Sequence, residues 1–155
     1  MTNNDILRRI RYTFDFNDSK MIEIFGLADL QVTREQISDW LKKDDHPEFK
    51  ELLDAQLATF LNGFIIEKRG RKEGHQPIPE KRLNNNMIFK KLKIALNLKD
   101  EDILEIYKLA DMRLSKSELN AFFRKPEQKQ YRTCKDQFLR NFLHGMQLKY
   151  HVNKD

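Results

Sequence analysis

The chain contains 155 residues, 39% of them apolar and 34% charged, and it has no run of about 18 apolar residues that could span a bilayer. Its one cysteine, Cys134, excludes an internal disulfide, and the polar, acidic first residues argue against a signal peptide, so we expect a cytoplasmic protein. The net charge of +5 is uneven: residues 1–69 sum to −3, residues 70–84 to +2 and residues 85–155 to +6, which favours the second half for an anionic partner.

The sequence repeats itself with an offset of 82 residues. Identical pairs run without a gap from Asn3/Asn85 near the start to Gly63/Gly145 near the end. A fixed offset of this length indicates a tandem duplication. We therefore predict that the chain contains two copies of one fold.

The first two helices of each copy are predicted from their caps and their apolar spacing. The first helix begins at Asn3 or Asn4 as N-cap and carries apolar residues at helical spacing as far as Phe14. The second helix begins at about Ser19. Its counterpart in the second copy begins with the acidic residues 100–102, which suit the positive end of a helix.

The third helix of each copy starts with a capping box. Thr33 is followed three residues later by Gln36, and Ser115 is followed by Glu118. In this motif, the N-cap hydroxyl oxygen accepts a hydrogen bond from the N3 backbone amide, and the N3 side chain accepts one from the N-cap backbone amide. The same local rule at equivalent positions predicts both helix starts.

The fourth helix is predicted to be long, because an apolar stripe starts at Phe49 in the first copy and at Tyr131 in the second. Pro47 and Pro126 precede it as first-turn prolines. These prolines do not align under the 82-residue offset, so we expect the connection between the third and fourth helices to differ between the copies. Cys134 falls on the stripe, which indicates a structural core residue rather than a nucleophile.

Residues 70–84 contain glycine, proline and charged residues without an apolar period, which predicts a linker between a first repeat at 1–69 and a second at 85–155. Nowhere do β-branched and polar residues alternate. We predict an all-α fold in which a roughly four-helix repeat is duplicated in tandem and packed about a pseudo-two-fold axis. Buried aromatic residues of the third helices, and glycines at a close crossing of the two long helices, are expected to be structural: Trp40, Phe122, Gly63 and Gly145.

Four runs resemble the YehS-like family of bacterial proteins: NNDILRRIRY at 3–12, KMIEIF at 20–25, FLNGFIIEKRG at 60–70 and QFLRNFL at 137–143. The resemblance covers essentially the full chain. It implies a small bacterial protein with two such repeats and no established function, and it transfers no catalytic residue.

Catalytic and metal-binding motifs are missing from the sequence. Neither Gly-x-Ser-x-Gly nor a phosphate-binding glycine loop occurs, and His144 and His151 lack a carboxylate or cysteine at ligand spacing. Asp29 and Asp111 stand at equivalent positions and could form an acid pair across the axis, although the end of a helix is the favoured role. We expect a protein that is not an enzyme and uses neither a cofactor nor a metal.

Two patterns point towards nucleic acid. Residues 24–40 have the apolar spacing of a helix-turn-helix, with Arg34 and Gln36 near the start of its second helix, although a packing hairpin has the same spacing and is favoured. The first helices also carry matched cations, and the second repeat adds two more: Arg8, Arg9 and Arg11, then Lys90, Lys91 and Lys93, then Arg124 and Arg132.

The expected function is therefore that of a binding module. Nucleic-acid binding through a basic face of the second repeat is the first hypothesis. The alternative is a protein-interaction or scaffold role in which grooves between helices take a partner helix. The sequence leaves the oligomeric state open.

Overall fold

A computed structural model describes residues 1–74 and 76–151, and within those ranges the chain is all-helical. The eight helices are α1 (Asn3–Phe14), α2 (Asp18–Leu27), α3 (Arg34–Leu41), α4 (Asp54–Arg69), α5 (Asn85–Ala95), α6 (Asp100–Leu109), α7 (Lys116–Phe122) and α8 (Asp136–Tyr150). Four helices belong to each copy of the repeat. The prediction of an all-α, tandemly duplicated fold is confirmed.

The two copies pack through a reciprocal contact. The first helix of one copy lies against the fourth helix of the other, so that α1 packs on α8 and α5 packs on α4. The same contact made twice is what a two-fold axis requires. Within each copy, the second and fourth helices pack together, α2 on α4 and α6 on α8.

The core is a single cluster of buried apolar residues that runs through both copies. Trp40 and Phe122 both lie in it, 4% and 3% exposed. Trp40 packs on Phe25 with ring centroids 5.4 Å apart, and Phe122 packs on Phe89 at 6.2 Å. Each third helix is thus held in its own copy by an aromatic side chain, together with the buried Ile37 of α3 or Leu119 of α7.

The capping boxes at Thr33 and Ser115 are confirmed by reciprocal bonds to Gln36 and Glu118. The prediction that Asn3 or Asn4 caps the first helix is wrong. Thr2 is the N-cap of α1, and Asn84 is the N-cap of α5. The two asparagines that follow each cap lie inside the helix and bind other parts of the chain.

Asn4 holds the connection between α3 and α4 in place. Its side-chain Nδ2 donates to the carbonyl oxygens of Trp40 (2.8 Å) and Lys50 (2.9 Å), and its Oδ1 accepts from the amide of Leu52 (3.0 Å). Asn4 is only 1% exposed, so this amide replaces the water that two buried backbone groups and one partly buried group would otherwise need. Asn86 makes the same three bonds in the second copy, to Phe122, Arg132 and Cys134.

This arrangement overturns the predicted start of the fourth helix, because α4 begins at Asp54 and α8 at Asp136. Cys134 is buried as expected but precedes the helix, in the segment that Asn86 holds. The prolines do not start helices either. The connections, which we predicted to differ between the copies, share a backbone hydrogen bond at equivalent positions: Lys50 N–H to Asp39 O in the first copy and Arg132 N–H to Ala121 O in the second.

Gly63 lies where α4 crosses α2, against the backbone of Ile24. Gly145 lies at the equivalent crossing of α8 with α6, against Ile106. The prediction named the two long helices as the crossing pair, whereas the structure has each long helix crossing the second helix of its own copy. A side chain at either glycine would meet a backbone carbonyl group.

Candidate functional site

Two clefts form where the first helix of one copy packs on the fourth helix of the other. The α1–α8 cleft has a volume of about 480 Å³ and is lined by Asp5, Arg8, Arg9, Tyr12, Arg140, Leu143 and Gln147, beside Met1. The α4–α5 cleft has a volume of about 490 Å³, and the segment after α4 forms one of its sides. Equivalent positions line both clefts, since Arg8, Arg9 and Tyr12 correspond to Lys90, Lys91 and Ile94.

The predicted cations of the first copy are largely neutralised. Arg8 pairs with Asp5 at 3.0 Å and with Asp44 at 3.4 Å, and Arg11 pairs with Asp18 at 2.9 Å. These guanidinium groups already have carboxylate partners, so phosphate contact would require them to exchange one anion for another.

Arg9 lines the α1–α8 cleft together with Arg8, but unlike Arg8 and Arg11 it pairs with no carboxylate among the described residues. One guanidinium nitrogen, NH1, is buried without a hydrogen-bond partner among the described residues. Burial lowers the pKa of Arg9, and the charge of Asp5 opposes that shift. The guanidinium group remains charged because its ordinary pKa lies far above neutral pH.

Lys91 is also turned inward. Its ammonium group lies 3.0 Å from a carboxylate oxygen of Glu80 and donates to Asn62 Oδ1 at 2.7 Å, and the side chain is only 12% exposed. The structure thus separates Lys91 from the other predicted contact residues of the second repeat. A phosphate on the outer surface would not meet it.

The remaining predicted cations of the second repeat lie around α5 and the α7–α8 connection. We call Lys90, Lys93, Arg124 and Arg132 the cationic face. Lys90, Arg124 and Arg132 are exposed, and the Lys93 ammonium lies 4.4 Å from the ring centre of Phe123, beside Arg124. The bonds from Asn86 to the carbonyl groups of Phe122 and Arg132 hold α5 against this connection.

Two members of the cationic face, Lys90 and Arg124, have lost the carboxylates that pair with their counterparts in the first copy. In the first copy, Lys42 pairs with Asp39 at 2.7 Å and with Glu48 at 3.1 Å. Its equivalent in the second copy is Arg124, and the two carboxylates are replaced by Ala121 and Gln130. Among the described residues, no carboxylate pairs with any member of the cationic face.

The same replacement occurs at the partners of Arg8. Asp5 corresponds to Met87 and Asp44 corresponds to Pro126, whereas Arg8 itself is kept as the cation Lys90. The positive charges are therefore retained between the copies while four of their counter-ions are removed. This difference accounts for much of the positive charge of the second repeat.

The helix-turn-helix candidate uses its polar side chains internally. Arg34 donates to Ser19 Oγ at 2.7 Å and lies 3.9 Å from Asp18, while Gln36 completes the capping box with Thr33. Side chains that would meet base edges are thus engaged within the chain. The hairpin of α2 and α3 packs α3 onto its own repeat.

The remaining candidate residues, Asp29, Asp111 and Cys134, lie in surroundings that indicate a structural role. Asp29 and Asp111 have left-handed backbones, with φ of 67° and 57°, and each follows the end of a helix. Cys134 is fully buried, and burial with the nearby charge of Asp136 raises its pKa to about 12. In residues 1–74 and 76–151, no group of three or more His, Cys, Asp or Glu could hold a metal ion.

The longest helix in the described part of the chain, α4, has 16 residues, and none of the helices there has the length and apolar composition that a bilayer span requires. The sequence predicted grooves between helices but not the position or the lining of these two clefts. The clefts lie between helices of different copies, and the packing of the copies brings Asn62 to Lys91.

Two comparisons with known proteins indicate the same family. The model of a family described as "Protein of unknown function (DUF1456)" matches residues 3–70 and 85–151. The chain is 44% identical over 155 residues to the uncharacterized protein YehS of Escherichia coli (strain K12). The alignment covers 99% of each of the two chains. No solved structure matches.

Proposed function

The chain belongs to the DUF1456 family, to which no function is assigned, and we propose from its own surface that it binds nucleic acid through the cationic face. The observation that carries this proposal is the loss of counter-ions in one copy of a duplicated fold. Arg8, Arg11 and Lys42 pair with carboxylates in the first repeat, whereas their equivalents Lys90, Lys93 and Arg124 pair with none among the described residues. We propose binding rather than catalysis.

Each cation must release its present partners, which are water, mobile ions or a carboxylate, before it can bind a phosphate. An unpaired surface lysine or arginine meets a phosphate after releasing only water and mobile ions, and the displaced counter-ions of the nucleic acid favour binding. A paired cation such as Lys42 must first leave Asp39 and Glu48. Phosphate affinity should therefore concentrate on the second repeat, even though both repeats present cations at the same places.

The alternative partner, a protein helix in an apolar groove, has less support. The large apolar side chains that are exposed in the described part of the chain are scattered over several elements: Tyr12, Leu53, Ile78, Ile94, Leu109 and Leu148. A protein interface of ordinary size usually needs a contiguous apolar centre. We therefore place the nucleic-acid proposal first.

The test compares two triple variants at equivalent positions. Lys90→Gln/Lys93→Gln/Arg124→Gln removes three members of the cationic face, and Arg8→Gln/Arg11→Gln/Lys42→Gln removes their counterparts. Lys91 is left unchanged because Glu80 already pairs with it. Binding to short labelled DNA and RNA would be measured by fluorescence anisotropy at several salt concentrations.

The wild type should bind with an affinity that falls steeply with salt. The second-repeat variant should weaken binding to all sequences and flatten the salt slope by up to about one unit per lost phosphate contact. The first-repeat variant should change both quantities less. Equal losses from both variants, or no binding by the wild type at low salt, would contradict the proposal.

A further inference from the structure

The α4–α5 cleft contains a buried hydrogen-bond donor that has no partner. Asn62 lines the cleft and is 5% exposed, and its Nδ2 forms no hydrogen bond among the described residues. The orientation of this amide is fixed by Lys91, whose ammonium donates to Oδ1 at 2.7 Å. An ammonium group cannot accept a hydrogen bond, so Nδ2 must be the atom left over.

The walls of this cleft divide into an apolar part and a cationic rim. The apolar part consists of four side chains from α4 and α5: Ile65, Ile66, Met87 and Ile94. The rim carries Arg69, Lys72 and Lys90, which have no carboxylate partner in the described part of the chain. Lys91 and Glu80 balance each other at its base, so the net charge is positive.

We propose that the α4–α5 cleft binds a small molecule in which an anionic oxygen group is attached to an apolar body. The anionic oxygen would accept from Asn62 Nδ2 and face the rim cations, while the apolar body would cover the isoleucine side chains. The volume of about 490 Å³ lies within the range of small-molecule sites, which are mostly apolar with a few placed polar groups. This site is separate from the nucleic-acid proposal, with which it shares only Lys90.

The α1–α8 cleft provides an internal control. At positions equivalent to Ile94 and Ile65 it carries Tyr12 and Gln147, and Asp5 replaces Met87. The His151 ring stacks on Tyr12 with centroids 4.2 Å apart. The duplicated fold thus makes a similar cavity twice, and the apolar wall is found in the α4–α5 cleft alone.

The ligand chemistry is tested by isothermal titration calorimetry with four probes. Octanoate and octyl phosphate carry both an anionic head and an apolar chain, 1-octanol lacks the charge, and inorganic phosphate lacks the chain. We expect octanoate, octyl phosphate or both to bind at least roughly tenfold more tightly than 1-octanol and inorganic phosphate, since both parts of the cleft must be used. The comparison of the two amphipathic probes identifies the preferred head group.

Two variants locate the site. Asn62→Leu removes the unpartnered donor with little change in volume, and Ile94→Asp places a negative charge on the apolar wall at a side chain that is 42% exposed. Each should weaken binding of the better probe by roughly tenfold or more, because the hydrogen bond to a charged group or the apolar contact is lost. Tyr12→Asp, the matched change in the other cleft, should leave that affinity unchanged.

Thermal melting distinguishes a binding role of Asn62 from a structural one. Asn62→Leu removes a buried donor without a partner, which raises stability, and also the acceptor of the Lys91 ammonium, which lowers it, so the variant should melt close to the wild type. Lys93→Gln should weaken nucleic-acid binding and leave probe binding unchanged. The proposal is overturned if no amphipathic probe binds, or if Asn62→Leu and Ile94→Asp both retain wild-type affinity.

Discussion

Gly63 on α4 packs so closely on Ile24 of α2 that a Cβ at Gly63 would lie 2.9 Å from the Ile24 carbonyl carbon and nearer still to its oxygen. Gly63→Ala should therefore lower the free energy of unfolding by about 1–3 kcal/mol, because a backbone group must shift. Gly26→Ala is the control, since nothing lies within 4 Å of its Cβ position and alanine favours a helix by about 1 kcal/mol. Urea denaturation measures both, and a stabilised Gly63→Ala variant would remove the close-crossing explanation.

The asparagine that opens each repeat should be among its most important polar residues. Asn4→Ala would leave the Leu52 amide and the carbonyl groups of Trp40 and Lys50 without their partner. Two of these three bonds are buried and the bond to Lys50 is partly buried. Unsatisfied buried groups cost about 1–3 kcal/mol each, so we expect a loss of at least about 2 kcal/mol.

Asn86→Ala should cost a similar amount, and Asn17→Ala provides the control because Asn17 is an exposed N-cap worth about 1 kcal/mol. Denaturation would measure all three variants. Equal effects of Asn4→Ala and Asn17→Ala would show that the connection between α3 and α4 does not depend on Asn4.

Cys134 should react slowly with thiol reagents in the folded protein. The side chain is fully buried, and its pKa is raised to about 12, so the reactive thiolate is scarce at neutral pH. Labelling should proceed at the rate of structural opening and accelerate strongly in denaturant. Rapid labelling under native conditions would place the thiol in an accessible, activated environment instead.

The same pKa shift predicts a loss of stability at alkaline pH. The folded protein keeps the Cys134 proton up to about pH 12, whereas the unfolded chain releases it near its ordinary value of 9. The unfolded state then binds fewer protons, so the contribution of this thiol is present below that ordinary value and falls as the pH rises towards 12.

Between about pH 8 and about pH 10, the wild type should lose roughly 1.4 kcal/mol more stability than Cys134→Ala. Comparing the two proteins removes the effect of groups that do not interact with Cys134. The pKa of Tyr107 is raised first by burial and then by the charge of Cys134, so its contribution is removed only in part. Parallel pH profiles for the two proteins would exclude a buried, protonated thiol.

The sequence predicted the duplicated all-α fold and the third-helix starts because those features follow from patterns of residues along the chain: a fixed offset between the copies and a four-residue capping box. It misplaced the start of α4 because Leu52 continues the apolar period yet lies in a segment held by Asn4, 48 residues away. The lining of the α4–α5 cleft could not be predicted for a related reason. Asn62 and Lys91 meet only after the two repeats have packed together.

The difference in counter-ions between the two copies could be predicted from the sequence only in part. The replacement of Glu48 by Gln130 is visible when the copies are aligned, but the pairing of Glu48 with Lys42 is visible only in the structure. Net charge alone therefore indicated the second repeat without identifying which cations are unpaired. Lys91 was therefore included among the predicted contact residues, although Glu80 pairs with it in the structure.

The central claim, that missing counter-ions make the second repeat bind nucleic acid, is tested most directly by putting counter-ions back. Pro126→Asp/Gln130→Glu installs at two exposed positions the acids that the first repeat has as Asp44 and Glu48, and it removes no cation. Gln31→Glu/Ser38→Asp adds the same charge at exposed sites in the first repeat.

The decisive measurement is the affinity for a short DNA duplex as a function of salt for these two variants and the wild type. We predict that Pro126→Asp/Gln130→Glu weakens binding and flattens the salt slope by about one to two units, while Gln31→Glu/Ser38→Asp stays close to the wild type. Equal effects of the two variants, or a wild type that does not bind, would contradict the account.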